Sequence, residues 1–208
     1  MKLYDYVLSG NCYKIRLFMA FLDLDYEKVG VDFYPGREHK SDSFLAINPL
    51  GQLPVLEDNG VVIRDAQAIL VYLANRHDPS GQWWPQADHA QFAQVVQWLA
   101  FADSITGTSS AARLHDMLGY DLDIVAARAG AHRLFRILDS HLSQQEFEGH
   151  HWIAGPSPTI ADIACFPYTA LAGDGGIDTF YYPAIQRWIH RLTRLPRYHN
   201  MPGINVFA

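Results

Sequence analysis

The chain is poor in the features that announce several common activities. It holds two cysteines, Cys12 and Cys165, too few and too far apart for a disulfide framework, and a reducing compartment would keep both as thiols. No two of its ten histidines lie three or four residues apart. The adjacent pair His150 and His151 would point in different directions on a helix or strand, so no metal site is expected. Phosphate loops of the GxxxxGK and GxGxxG kinds are missing, as is the GxSxG turn of serine hydrolases. No basic run occurs, and 16 Lys plus Arg against 22 Asp plus Glu leave a net charge of −6, which argues against nucleic acid or an anionic membrane as the main partner. Nowhere do eighteen apolar residues follow one another, and Asp5 interrupts the short apolar stretch at the amino end. Neither a membrane span nor a signal peptide is expected, and the expected location is the cytoplasm.

What is present reads as globular. Of the 208 residues 49% are hydrophobic and 18% charged, enough chain for one large domain or two small ones with a buried core. A small molecule or another protein is the default partner. Residues 2 to 8 are rich in strand formers and run into the loop signal Ser9-Gly10-Asn11. From Cys12 to Leu22, Ile15, Phe18, Met19 and Leu22 mark one face of a helix. Tyr26 to Val31 reads as a second strand, parallel to the first. A short helical piece ends at Ile47, before the turn Asn48-Pro49-Leu50-Gly51. Leu53 to Leu56 and Val61 to Ile63 flank Asn59-Gly60, the signature of a type I′ hairpin. Asp65 is a candidate N-cap for a helix that ends near His77. The order βαβ-α-ββα is a thioredoxin-like arrangement, an α/β domain over residues 1–77.

Residues 78–88 hold two prolines and a glycine and read as a linker. Beyond them helical periodicity takes over, at about Gln91–Leu118, Asp121–Gln144, Thr159–Leu171 and Tyr182–Leu195, so residues 89–208 are expected to be all α.

A thioredoxin-like half followed by an all-helical half resembles the glutathione S-transferase superfamily, its bacterial theta-like and beta-like members in particular. Three segments carry the resemblance. Asn48-Pro49-Leu50-Gly51-Gln52-Leu53-Pro54-Val55-Leu56 is similar to the family's NPxGxVPxL stretch, whose proline, here Pro54, is cis in the family. Ser157-Pro158-Thr159-Ile160-Ala161-Asp162 is similar to its capping-box segment. Tyr182-Pro183-Ala184-Ile185-Gln186-Arg187-Trp188 resembles a stretch common near the end of bacterial members.

The chemistry of these residues can be weighed directly. A proline opening a strand removes a ladder donor and, if cis, turns the preceding main chain outward, where it can pair with an extended peptide; otherwise Pro54 merely caps an edge strand. Asp65 and Ala66 open a helix whose free N–H groups attract carboxylates. In the family an acidic residue followed by Ser holds the γ-glutamyl carboxylate here, so Ala66 lacks one hydroxyl donor, worth roughly 1.5 to 3 kcal/mol if nothing replaces it. Asp65 alone can equally be a plain N-cap.

The resemblance implies that glutathione is the co-substrate, held by His39, Lys40, Gln52, Leu53, Pro54, Asp65 and Ala66, with His39 or Lys40 at its glycine carboxylate. The loop after the first strand offers three candidates for the sulfur. Ser9 stands three residues before a Cys, as in theta-like members; Cys12 matches the Cys of beta-like members; Asn11 is an amide donor between them. Cys12 can also be a small buried residue of the first helical turn. Ser9 is preferred, with Asn11 as helper, because it sits at the strand end whereas Cys12 is already in the helix. The first long helix of the second half is expected to supply the co-substrate pocket through Phe101, Ser104, Thr108 and Arg113, with the small and polar stretch Thr106–Ala112 as the better part of it.

The implied activity is conjugation of glutathione to a small, largely apolar electrophile, a detoxification chemistry, by a homodimer. A thiol–disulfide oxidoreductase or deglutathionylase working through Cys12, and a non-catalytic binding module of the same fold, are the alternatives.

Overall fold

The computed structural model describes residues 1–204; the last four residues of the expected helical half, 205–208, lie outside the described residues. The first half contains strands β1 (Lys2–Asp5), β2 (Glu27–Gly30), β3 (Val55–Asp58) and β4 (Val61–Arg64) in the order β2-β1-β3-β4. Strands β1 and β2 are parallel, joined by helix α1 (Gly10–Phe21), while β3 runs antiparallel to both β1 and β4. The Asn59-Gly60 turn places both residues at positive φ, 48° and 80°, as a type I′ hairpin requires. Helices α2 (Asp42–Ile47) and α3 (Ala66–His77) complete the expected βαβ-α-ββα order.

Helix α1 begins where Ser9 caps it and is buried along almost its whole length. Its central position explains this. One side packs on α3 and the sheet; the other meets helix α7 (Ile160–Ala170) of the second half. Tyr13 lies against Phe166, and its hydroxyl donates to the carbonyl of His199 at 2.6 Å. Phe18 and Phe21 close on Trp83 in the connecting segment.

The remaining helices are α4 (His89–Ile105), α5 (Ala111–Leu118), α6 (Ile124–Phe147) and α8 (Pro183–Leu192). The single helix expected at Gln91–Leu118 is divided by a π-helical turn, Thr106–Ser110, built from small residues that tolerate the wider turn. The expected box at the start of α7 forms: Asp162 accepts the Thr159 N–H at 2.9 Å, and the Thr159 hydroxyl oxygen accepts the Ala161 N–H at 3.3 Å. Asp162 does more, accepting the N–H of Ile153 at 3.0 Å and the indole N–H of Trp188 at 2.9 Å. One carboxyl group thereby joins a loop, α7 and α8 through buried hydrogen bonds. No described helix is long and apolar enough to cross a membrane.

Candidate active site

A cavity of about 450 Å³ opens between the two halves, walled by the β1–α1 loop, the segment before β3, the start of α3, and the helices of the second half. Its lining carries both signs of charge, with Asp65 and Asp103 on one side of the balance and Lys40 and Arg113 on the other. Asp65 has φ of 87°, a backbone region that costs a non-glycine residue energy and that clusters at functional sites. Its carboxylate accepts the Ala68 N–H at 2.9 Å. The N–H groups of Ala66 and Gln67 at the same helix start have no partner among the described residues. Asp103 accepts from the Gln67 amide. Burial, and then the neighbouring charge of Asp65, hold its carboxyl above the usual carboxylate range.

His39 and Lys40 also line the cavity. Lys40 donates to the carbonyls of Gly51 at 3.0 Å and Leu50 at 3.3 Å. Gly51 must be glycine: its φ is 56°, and a Cβ would stand 2.7 Å from the His39 carbonyl. His39 stacks on Phe33 at 4.1 Å, and its Nδ1 is buried with no partner among the described residues. Burial, followed by the charges of Lys40 and Arg37, lowers its pKa.

Leu53 lines the cavity as well, before the cis bond to Pro54. Among the described residues neither the N–H nor the C=O of Leu53 makes a hydrogen bond. Asn48 holds the preceding turn, donating to the Gln52 carbonyl at 2.9 Å and accepting the Leu50 N–H at 3.1 Å. The amino end of α1 contributes Ser9 and Asn11. The Ser9 oxygen accepts the Cys12 N–H at 3.2 Å, and Asn11 Oδ1 is buried without a partner among the described residues. Both residues line the cavity.

Comparison with known proteins gives this arrangement a context. Residues 1–75 match the glutathione S-transferase N-terminal domain and residues 110–200 the C-terminal domain. A glutathione S-transferase from Pseudomonas fluorescens Pf-5 is 32% identical, with a TM-score of 0.87 over 97% of this chain and 98% of that one. The chain belongs to the glutathione S-transferase superfamily. It is also similar to the disulfide-bond oxidoreductase YfcG of Escherichia coli K12, 27% identical over 90% of this chain and 88% of that protein. A glutathione transferase homologue from Lodderomyces elongisporus, solved with two glutathione molecules per subunit, is 25% identical with a TM-score of 0.84, covering 95% of this chain and 94% of that one.

Within this transferase fold, His39, Lys40, Gln52, Leu53, Pro54, Asp65, Ala66, Ser9, Asn11 and Arg113 all come to one cavity. Four expected residues do not. Cys12 is completely buried behind Ser9, with its sulfur accepting the Tyr6 N–H at 3.5 Å. Burial above all, and then the charge of Asp5, push its thiol up to about 12. A thiol in that state carries almost no thiolate at neutral pH, so the dipole of α1 does not make Cys12 a nucleophile. Phe101 packs edge-on against Trp98 at 4.8 Å. Ser104 is exposed, and its carbonyl accepts the Thr108 hydroxyl at 2.8 Å. The Thr108 methyl faces α6 so closely that a Cβ on Gly130 would meet it at 2.7 Å. The cavity face of this helical segment is a different stripe, Asp103, Thr106, Ser110, Arg113, Leu114 and Met117.

Sequence reasoning missed Tyr6, Asp103 and Tyr168 on the cavity wall. Asp103, the one acidic residue in the sequence of α4, is the visible signal. Tyr6 and Tyr168 sit in runs that read as strand and core.

Proposed function

We propose that the cavity binds glutathione and that the protein joins glutathione, through its sulfur, to a small, largely apolar electrophile. The observation that carries this reading is the set of groups that line one cavity: two carboxylates, a helix start with free N–H groups, cations, and the unpaired main chain of Leu53. A γ-glutamyl group brings an ammonium and a carboxylate, which suit Asp65 with Asp103 and the free N–H groups at the start of α3 respectively. A glycine carboxylate at the far end suits Lys40 and His39. The extended cysteine between them can pair with the free main-chain groups of Leu53, in the manner of an added strand. That leaves the sulfur opposite Ser9 and Asn11.

The chemistry follows from the thiol. With a pKa near ~8.5, only a few per cent is ionised at neutral pH, and a hydrogen-bond donor aimed at the sulfur favours the charged form. Ser9 is suited to this task because it lines the cavity as the N-cap of α1, where its hydroxyl oxygen accepts the Cys12 N–H and its O–H can turn to a bound sulfur. The thiolate attacks an electrophilic carbon and the C–S bond forms. The displaced electron pair leaves with a departing group, or moves through a conjugated bond to an acceptor oxygen that then takes a proton from water. Leu114, Met117 and Leu118 supply an apolar wall for such a substrate. Arg113, fixed by bonds to the Leu8 carbonyl at 2.8 Å and to Asp174 at 2.9 Å, offers a cation beside it.

A second reading is favoured by the similarity to the oxidoreductase YfcG. In it two glutathione molecules reduce a disulfide, yielding two thiols and oxidised glutathione. The burial of Cys12 means that the bound glutathione, and not a protein thiol, would attack the disulfide. A homodimer remains part of the proposal, supported by the exposed Val61 and Val62 on the edge strand β4, an edge that proteins commonly cover.

Retention on immobilised glutathione tests binding. Conjugation of a chloronitrobenzene and glutathione-dependent reduction of a small disulfide then separate the two reactions. Conjugation exceeding disulfide reduction is the expected result; retention with neither activity would leave a binding module, and no retention would overturn the reading.

A further inference from the structure

Tyr168 lies in α7 within the run Ile163–Thr169, whose composition reads as core, and it is 6% exposed. What is left uncovered is part of the cavity wall. Its hydroxyl reaches from the helical half to the amino end of α1, where the oxygen accepts the Asn11 N–H at 3.3 Å. The approach is possible because residue 10 is glycine: a Cβ there would stand 2.6 Å from the Tyr168 ring. The main chain of Tyr168 is held too, its carbonyl accepting the Ser109 hydroxyl at 2.6 Å. The phenol is thus fixed from three directions by the helix start, the glycine and the π turn.

As the acceptor of the Asn11 N–H, the Tyr168 oxygen keeps its own proton to donate. Ser9 and Ser110 also hydrogen-bond to Tyr168 through their side chains, and all four residues line the cavity. The titratable groups beside the ring are Cys12, buried in α1, and Lys14, whose Nζ stands 5.5 Å from the ring centroid. Burial holds the Tyr168 phenol above its ordinary value, so it keeps its proton throughout the range in which a thiol ionises.

We propose that Tyr168 is a second donor to the sulfur bound in this cavity, supplied by the helical half, so that the thiolate lies between the Ser9 and Tyr168 hydroxyls. This rests on the glutathione reading above. Its consequence is that the two halves must be docked for the thiol to be acidified, because Ser9 and Tyr168 come from different halves.

The test is a pH titration of the ultraviolet absorption of the bound glutathione thiolate in the wild type and in Tyr168→Phe, which keeps the ring over Gly10. Affinity for S-methylglutathione is measured alongside, since that ligand has no thiol to ionise. The expected result is a bound-thiol pKa higher by about one unit in the variant, with S-methylglutathione affinity unchanged. An unchanged thiol pKa with intact affinity would overturn the inference. Failure of the wild type to bind S-methylglutathione would overturn the site reading instead. Should Tyr168→Phe fold poorly, site-specific Tyr168→3-fluorotyrosine, a better donor in the same ring, is expected to lower the thiol pKa, and no change would overturn the inference.

Discussion

The Ser9 side-chain oxygen accepts the Cys12 main-chain N–H at 3.2 Å, and this one bond sorts the chemistry of the two residues. It stations Ser9 as the N-cap of α1, facing the cavity, and draws Cys12 into the first helical turn behind it. An N-cap hydroxyl uses its oxygen for the helix and keeps its proton for another acceptor. The cysteine behind the cap loses its access to solvent.

Cys12 should therefore be inert. With the thiol buried and pushed up to about 12, iodoacetamide at neutral pH should leave it unmodified in the native protein and label it fully after denaturation, as read by mass spectrometry. Cys12→Ala should retain conjugation within about twofold while losing on the order of 1 kcal/mol of stability from the small cavity it opens. Rapid native labelling would show that α1 opens, and would revive a route through this thiol.

At the start of α3 the absent hydroxyl can be restored. Ala66 lines the cavity, and its N–H and that of Gln67 have no partner among the described residues. Ala66→Ser should tighten glutathione binding by about tenfold, the lower range for a hydrogen bond to a charged group, as measured by titration calorimetry. An unchanged or weaker dissociation constant would mean that no carboxylate is held at this helix end.

The loop that carries Ser9 is pinned by a buried ion pair. Arg16 bonds to Asp5 and also donates to the Val7 carbonyl at 2.9 Å, while Asp5 has a second cation, Lys28, at 3.1 Å. Arg16→Met should leave a buried carboxylate with one exposed partner and cost about 3 kcal/mol. Urea unfolding reads that loss, and conjugation should fall with it because Val7 and Ser9 share the loop.

The parts of this molecule written in local chemistry were legible before any coordinates. Asn59-Gly60 specifies a two-residue turn, Asp65 a cap, and the Thr159 and Asp162 pair a capping box, because each of those groups bonds to main chain within a few residues. The Asn48-to-Leu56 segment pointed to the cavity wall through its resemblance to the family motif, since its residues alone fit a capped edge strand equally well. The helical wall was harder. Phe101, Ser104 and Thr108 form a stripe at helical spacing, but so do Asp103, Thr106, Ser110 and Arg113, and periodicity alone does not say which stripe faces the first half. The contact of Thr108 with Gly130, a long-range packing event, made that choice. Tyr168 escaped notice because its neighbours are apolar and its partner, Asn11, is distant in the chain.

The most direct test of the account is the pH profile of conjugation in wild type and Ser9→Ala. Removing a donor to the charged sulfur destabilises the thiolate, so its pKa must rise. The account predicts a tenfold to hundredfold lower rate at neutral pH, from the loss of roughly 1.5 to 3 kcal/mol, and a midpoint moved to higher pH with the plateau approached in alkali. A Ser9→Ala profile that overlays the wild type, with activity abolished instead in Cys12→Ala, would contradict it.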